Sequence, residues 1–151
     1  MASIHKTQTF LDTNVLVYSI DLSSENRDKH RAALETIRPN ETEILCISPQ
    51  ILAEFYAVVT SSKSITNPIS PQEAVSRIKR FSQMPNLRIL PPPENLIDYW
   101  LPLLEETAVI GAEVFDRIHL ATMLAYQIKR IYTFNKSDFN WYAKIQVIVP
   151  N

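Results

Sequence analysis

The chain has 151 residues, of which 46% are hydrophobic and 21% are charged, and its formal net charge at pH 7 is −1. This composition excludes disordered and fibrous proteins, and the near-neutral charge excludes nucleic-acid binding through bulk charge but not through a local basic patch. No apolar run approaches the roughly 18 residues of a membrane span, and the first six residues lack the apolar run of a signal peptide. A cytoplasmic protein without a membrane partner is therefore expected.

Apolar runs alternate with helix-start signals along the whole chain. In chain order the predicted elements are strand 7–11, helix 15–20, helix 27–38, strand 43–47, helix 49–63, helix 71–82, strand 87–90, helix 94–106, helix 113–130, strand 131–134, one or two helical turns in 137–143, and strand 145–149. Ser48 and Ser70 each precede a proline, as an N-cap does, and Glu73 is placed to complete a capping box. The alternation predicts the α/β class, with one domain over residues 1–151 and a parallel, doubly wound sheet of about five short strands with helices on both faces.

Glycine is nearly absent, since Gly111 is the only one, whereas an average chain of this length would hold about ten. Loops that bind phosphate through backbone amides need glycine, so a P-loop, a dinucleotide fingerprint and a serine nucleophile elbow are excluded. The single cysteine, Cys46, excludes an intramolecular disulfide and a multi-thiolate zinc site. Any phosphate chemistry must therefore rest on metals or side chains.

Two aspartates follow predicted strands. Asp12 comes directly after strand 7–11, and Asp138 lies four residues after strand 131–134. Ligands of open α/β sheets bind at the carboxyl ends of the strands, so both aspartates are candidates for a site. A helix N-cap or a first-turn acid explains either residue equally well.

Glu54 lies three residues after Ile51 and four before Val58, so its side chain points with the apolar stripe of its helix. A glutamate facing a core must be neutralised, paired or bound to a metal. No lysine or arginine lies between Arg38 and Lys63 to pair with it on that helix. A functional role is favoured over an acid at the edge of the stripe that reaches solvent.

Asp116 precedes Leu120 and Met123 by one and two turns of a largely apolar helix, which directs it inward. The alternative is an acid that pairs with Arg117 or with the helix dipole. Four carboxylates in one cleft would raise each other's pKa, and a divalent cation would resolve that repulsion. Oxygen ligands select Mg²⁺ or Mn²⁺, which suits hydrolysis of phosphate esters.

Four segments carry a family resemblance: FLDTNVLVY at 10–18, ILAEF at 51–55, FDRIHLAT at 115–122 and IYTFNKSDF at 131–139. In order, spacing and terminal strand the chain resembles the PIN-domain ribonucleases over nearly its whole length. Within that family it most resembles the VapC-type toxins of toxin–antitoxin pairs. The resemblance implies Mg²⁺- or Mn²⁺-dependent hydrolysis of RNA that leaves a 5′-phosphate, with RNA as substrate, an antitoxin protein as partner and a homodimer.

The resemblance also implies roles for particular residues. The catalytic and metal-binding set would be Asp12, Glu54, Asp116 and Asp138. The supporting polar positions would be Asn14, Thr133 and Asn135, with Thr133 orienting Asp12 by a hydrogen bond. The family more usually has small or apolar residues where this chain has Arg117, Ile118 and His119. For His119 a satisfied helix histidine is favoured over a phosphate contact, because metal-assisted hydrolysis needs no histidine.

Three surface features complete the predictions. At least one of two basic groups is expected to border the cleft and contact phosphate: Arg27, Lys29 and Arg31, or Arg77, Lys79, Arg80 and Arg88. Substrate choice is expected to lie in the loops after Asp21 and around 61–70. Interface and core roles are equally open for four aromatic residues: Tyr99, Trp100, Trp141 and Tyr142.

Other functions remain open on the sequence. A phosphohydrolase or phosphoacceptor with Asp12 as nucleophile is disfavoured, because the second acid usual two residues later is replaced by Asn14. A PIN-like binding module without activity is the second alternative. An RNA-processing nuclease without an antitoxin is the third.

Overall fold

A computed structural model describes residues 5–151. The expectation about a signal peptide concerned the first six residues. Residues 1–4 of these lie outside the described residues. The strands are β1 (Thr7–Leu11), β2 (Glu43–Ile47), β3 (Leu87–Ile89), β4 (Arg130–Tyr132) and β5 (Gln146–Ile148). All four strand pairs are parallel, and the order is β3-β2-β1-β4-β5. The predicted parallel, doubly wound sheet is confirmed.

The helices are α1 (Thr13–Tyr18), α2 (Arg27–Ile37), α3 (Pro49–Val59), α4 (Pro71–Ser82), α5 (Leu96–Glu106) and α6 (Val114–Ala125). Short 3₁₀ turns cover Ser24–Asn26, Gly111–Glu113 and Lys136–Asp138. Strand order runs one way from β1 to β3 and then reverses to β4. Because parallel crossovers are right-handed, α1–α4 and the pair α5–α6 lie on opposite faces of the sheet.

The predicted N-caps of α3 and α4 are confirmed, since Ser48 and Ser70 accept hydrogen bonds from the backbone N–H groups of Ile51 and Glu73. The capping box is wrong in its second half, because the Glu73 carboxylate pairs with Arg77 instead, at 3.4 Å. α5 continues through Pro102 without splitting.

Two predicted helices were too long. α3 ends at Val59 instead of residue 63, because the chain turns back and the N–H of Ile69 bonds the Val59 carbonyl. α6 ends at Ala125 instead of residue 130, where Gln127 takes a left-handed conformation with φ 58°. The N–H groups of Gln127 and Ile128 then donate hydrogen bonds to carbonyls of the last helical turn. Helices often end in this way at a glycine in the left-handed conformation, but here the residue is glutamine. The predicted turns in 137–143 reduce to the 3₁₀ turn at Lys136–Asp138.

The core lies between the sheet and both helical layers. Its fully buried members include Phe10, Leu45 and Ile131 from strands and Phe55 and Met123 from helices. Cys46 is buried among them, and burial raises the pKa of its thiol to about 11, as expected of an inert packing residue. All four surface-candidate aromatics are partly buried against this core: Tyr99, Trp100, Trp141 and Tyr142. Among the helices of residues 5–151, none is long and apolar enough to cross a membrane.

Candidate metal centre

The predicted site residues meet where the strand order reverses. β1 pairs with β2 on one side and with β4 on the other, so its carboxyl end lies at the switch point. A cleft of about 690 Å³ opens there. Six of the seven predicted site residues line it: Asp12, Asn14, Glu54, Asp116, Asn135 and Asp138. The seventh, Thr133, is fully buried beside Asp12.

Asp12 is both a helix cap and a cleft residue, because its two oxygens do different things. Oδ1 accepts from the backbone N–H of Thr13 at 2.8 Å. Oδ2 accepts from the Thr133 hydroxyl at 2.7 Å, the hydrogen bond that the resemblance implied, and from the Asn14 amide at 3.2 Å. The Asn14 carbonyl oxygen in turn accepts from the N–H of Phe134. Burial raises the pKa of Asp12, although these hydrogen bonds oppose the shift.

Glu54 is held by three donors. It accepts hydrogen bonds from the Thr13 hydroxyl at 2.6 Å, from the Gln50 amide at 3.0 Å and from His119 Nε2 at 2.9 Å. Burial alone would raise the pKa of Glu54, but the hydrogen bonds and the charge of His119 outweigh it, and the pKa is lowered. The partner that sequence reasoning sought on the same helix is therefore a histidine of α6.

His119 is only half satisfied as a helix histidine. The side chain is 1% exposed, and Nε2 contacts Glu54. Nδ1 is buried and has no hydrogen-bond partner among residues 5–151. One ring nitrogen of His119 and one carboxylate oxygen each of Asp12 and Asp116 lie within 4.8 Å of one another. The three-residue spacing of Asp116 and His119 on one helix face was the available signal.

Asp116 shows most clearly the repulsion expected of clustered acids. Its pKa is raised to about 7, first by burial and then by the charges of Asp12, Asp138 and Glu54, with His119 partly opposing. The pKa of Asp138 is also raised, by burial and by Glu113. Raised pKa values in a cluster of acids indicate that no nearby positive charge balances the carboxylates. A divalent cation would supply that charge and would bind them in their ionised form.

Arg117 forms no ion pair with Asp116, so that half of the alternative is wrong, whereas Asp116 does lie in the first turn of α6, as the helix-dipole half expects. The Arg117 guanidinium is buried and lies 4.0 Å from the centre of the Trp141 ring. The Trp141 indole N–H donates to the backbone carbonyl of Asp138 at 3.1 Å. Arg117 and Trp141 thus connect α6 to the turn that carries Asp138.

The predicted basic border of the cleft is mostly wrong. None of the seven predicted cations lines the cleft. Lys29 reaches its edge, with Nζ 5.0 Å from the centre of the ring of Tyr18, a lining residue. Lys63, which was not predicted, lines the cleft directly.

The loops that were expected to choose the substrate do lie at the cleft. Glu25 and Asn26 line it from the first loop, and residues 62–66 line it from the second. The Thr66 hydroxyl donates to Glu25 at 2.9 Å, so the two loops are joined across the rim.

Comparison with known proteins gives three kinds of match. The family profile of the PIN domain matches residues 9–145. Ribonuclease VapC43 of Mycobacterium tuberculosis is 29% identical over 128 residues, which cover 85% of this chain and 84% of that protein. Among solved structures, VapBC2 from Rickettsia felis bound to a promoter DNA fragment gives a TM-score of 0.65 at 21% identity, over 96% of this chain and 100% of that one. The sarcin-ricin loop cleaving toxin VapC20 of M. tuberculosis gives a TM-score of 0.65 at 16% identity. That match covers 92% of this chain and 98% of the other.

Proposed function

The chain belongs to the PIN domain family, and from this premise we propose that it is a metal-dependent endoribonuclease, the toxin of a VapBC-type pair. The observation that carries the proposal is the convergence of Asp12, Glu54, Asp116 and Asp138 on one cleft. The name of the relative VapC43 supports the substrate class, because the match covers most of both chains. The reciprocal coverage of the solved structures supports one domain over residues 1–151.

Mg²⁺ or Mn²⁺ is the proposed cofactor, held by the four acids. When bound, it would supply an activated water and stabilise charge on the phosphate. The chain's own residues prepare the site. Thr133 and Asn14 fix the orientation of Asp12, while Thr13, Gln50 and His119 keep Glu54 ionised.

The reaction adds water across a phosphodiester bond, with in-line attack leaving a 5′-phosphate on one product and a 3′-hydroxyl on the other. Lys63 lines the cleft and is the proposed contact for a substrate phosphate. Asn135, which follows β4 and lines the cleft, completes the polar supporting set with Asn14 and Thr133.

An antitoxin protein and a second copy of the chain are the proposed protein partners. The solved structure of VapBC2 is described as bound to promoter DNA, and other fold relatives are toxin–antitoxin complexes. Exposed apolar side chains offer surface for such contacts, with Ile97 53%, Leu101 47% and Ile110 89% exposed. Sedimentation at micromolar concentration tests the homodimer, and a monomer would contradict it.

The test of activity is cleavage of structured and unstructured RNA with Mg²⁺, with Mn²⁺ and with EDTA. Cleavage should need the cation and should be abolished by Asp12→Asn and by Asp116→Asn. Asp28→Asn is the matched control, because Asp28 is an exposed acid on α2 that does not line the cleft. If purified protein neither cuts RNA nor binds the cation in calorimetry, the chain is a PIN-like binding module without activity. Binding of the cation without cleavage leaves the site standing and directs the search to a different RNA.

A further inference from the structure

We propose that His119 supplies an imidazole nitrogen to the cation, and that this ligand makes the centre bind Mn²⁺ in preference to Mg²⁺. The proposal rests on the proposed function and goes beyond it, because the family resemblance assigns only carboxylates to the metal.

The first argument is the position of the ring. A ligand atom of His119 lies within 4.8 Å of carboxylate oxygens of both Asp12 and Asp116. Ligand atoms about 2.1 Å from a shared octahedral cation are separated by roughly 3 Å when adjacent and by roughly 4.2 Å when opposite. The 4.8 Å limit exceeds the adjacent spacing by up to about 1.8 Å, so rotation of the side chains would have to close that gap for the three residues to share one ion. Asp116 and His119 lie on the same face of one helix, which keeps that part of the site rigid.

The second argument is the hydrogen bonding of the ring. Nε2 lies 2.9 Å from a carboxylate oxygen of Glu54, so that nitrogen already has a hydrogen-bond partner. The other nitrogen, Nδ1, is buried and has no hydrogen-bond partner among the described residues. A buried polar atom without a partner needs an explanation, and a metal cation is one. Histidines that bind metals usually give their second N–H to a carboxylate, the role that Glu54 plays here.

The third argument concerns the choice of ion. Mg²⁺ is a hard cation that prefers oxygen ligands. It gives up its bound water molecules reluctantly. A nitrogen ligand favours first-row transition metals over Mg²⁺, and Mn²⁺ is the first member of that series. Carboxylate oxygens suit both ions, so they discriminate between Mg²⁺ and Mn²⁺ less than an imidazole nitrogen does. His119 therefore predicts a selectivity that the four carboxylates by themselves do not.

The experiment is pulsed electron paramagnetic resonance of Mn²⁺ bound to the whole chain. A directly bound histidine couples the ¹⁴N nucleus to the electron spin, and labelling only the histidines with ¹⁵N must change that coupling. This measurement uses the unmutated protein, so it does not depend on whether a variant folds. His119→Gln should abolish the coupling, whereas His30→Gln should retain it, because His30 contacts the Tyr18 carbonyl on α1 instead of the acids.

Calorimetry with Mn²⁺ and with Mg²⁺ completes the test. His119→Gln should weaken Mn²⁺ binding by about tenfold or more and Mg²⁺ binding by less, so the ratio of the two affinities should fall. If Mn²⁺ binds without histidine coupling, this inference is overturned while the carboxylate site of the proposed function stands. If Mn²⁺ does not bind at all, both the inference and the metal-dependent function are overturned.

Discussion

The hydroxyl of Thr133 donates a 2.7 Å hydrogen bond to Oδ2 of Asp12, across 121 positions of sequence. Both residues follow neighbouring strands, β4 and β1, and both are buried. Thr133 also accepts from the backbone N–H of Asn135 and from the Asn14 amide. One hydroxyl therefore links Thr133 to the other two supporting residues and sets the direction of the Asp12 carboxylate.

Replacing that hydroxyl should weaken the site more than the fold. Thr133→Val keeps the shape of the side chain but removes the donor to Asp12, so we expect metal affinity to fall by about tenfold or more. The free energy of unfolding should fall by about 1 kcal/mol. Calorimetry with Mn²⁺ and urea unfolding measure the two effects. Thr133→Ser retains the hydroxyl and is the control; equal metal affinity in the valine and serine variants would contradict the orienting role.

The raised pKa of Asp116 should make stability depend on pH. The folded protein keeps the Asp116 proton up to about pH 7, whereas the unfolded chain loses it near 3.8. Between these values the folded state binds more protons, so the stability of the metal-free protein should fall as pH rises. Asp116→Asn should remove this loss and gain about 1–2 kcal/mol relative to the parent near neutral pH, after allowance for solvent screening.

Urea unfolding in EDTA at pH about 5 and about 8 measures this gain. The exposed acid variant Asp28→Asn is the control, because its effect on stability should be the same at both values. The gain in unfolding free energy of Asp116→Asn over the parent should grow with pH. A gain that is the same at both pH values would show that Asp116 is not buried among like charges.

Metal binding should have the opposite dependence on pH. A cation must displace the proton of Asp116, so affinity for Mn²⁺ should rise with pH and level off above about 7. Below that value the dissociation constant should change by up to about tenfold per pH unit. Glu54 should add little to this dependence, because its pKa is lowered and it is already ionised. Calorimetry across this range tests the prediction, and an affinity that is constant with pH would contradict it.

The contact between Arg117 and Trp141 should stabilise the turn that bears Asp138. Trp141→Phe retains a ring under the guanidinium but loses the indole donor to Asp138, which should cost about 1 kcal/mol of unfolding free energy. Trp141→Leu loses the ring as well and should cost about 1 kcal/mol more. Urea unfolding compares the two variants. Equal stabilities would show that the stacked arginine contributes nothing to the fold.

Lys63 should contribute to RNA binding through its charge. Lys63→Gln should weaken RNA binding in EDTA, where cleavage is suppressed, and should lower the slope of affinity against salt by about 0.7 to 1. Lys144→Gln is the matched control, since Lys144 is exposed and does not line the cleft. Filter binding at several salt concentrations gives the slope, and an identical slope in both variants would contradict the phosphate contact.

Local sequence patterns were sufficient for the architecture. β1 and β2 have the predicted bounds, and the alternation of strands and helices gives the parallel, doubly wound sheet. The carboxyl ends of parallel strands share one edge of a sheet, so the position of Asp12 after β1 made it a candidate for the cleft, with a helix N-cap as the equal alternative. The end of α6 was missed because Gln127 takes the left-handed conformation that glycine would have signalled.

The sequence by itself determined which residue types face inward and where β1 and β2 end, because hydrophobic periodicity and helix caps are local properties. Only the tertiary structure decided which distant groups meet. The pairing of Glu54 with His119 across 65 positions, and the stacking of Arg117 on Trp141 instead of on Asp116, depend on how α3, α6 and the last turn pack around the sheet. The sequence gives the charge of a side chain, but strand order and helix packing determine its partner. They bring together residues that no local pattern relates.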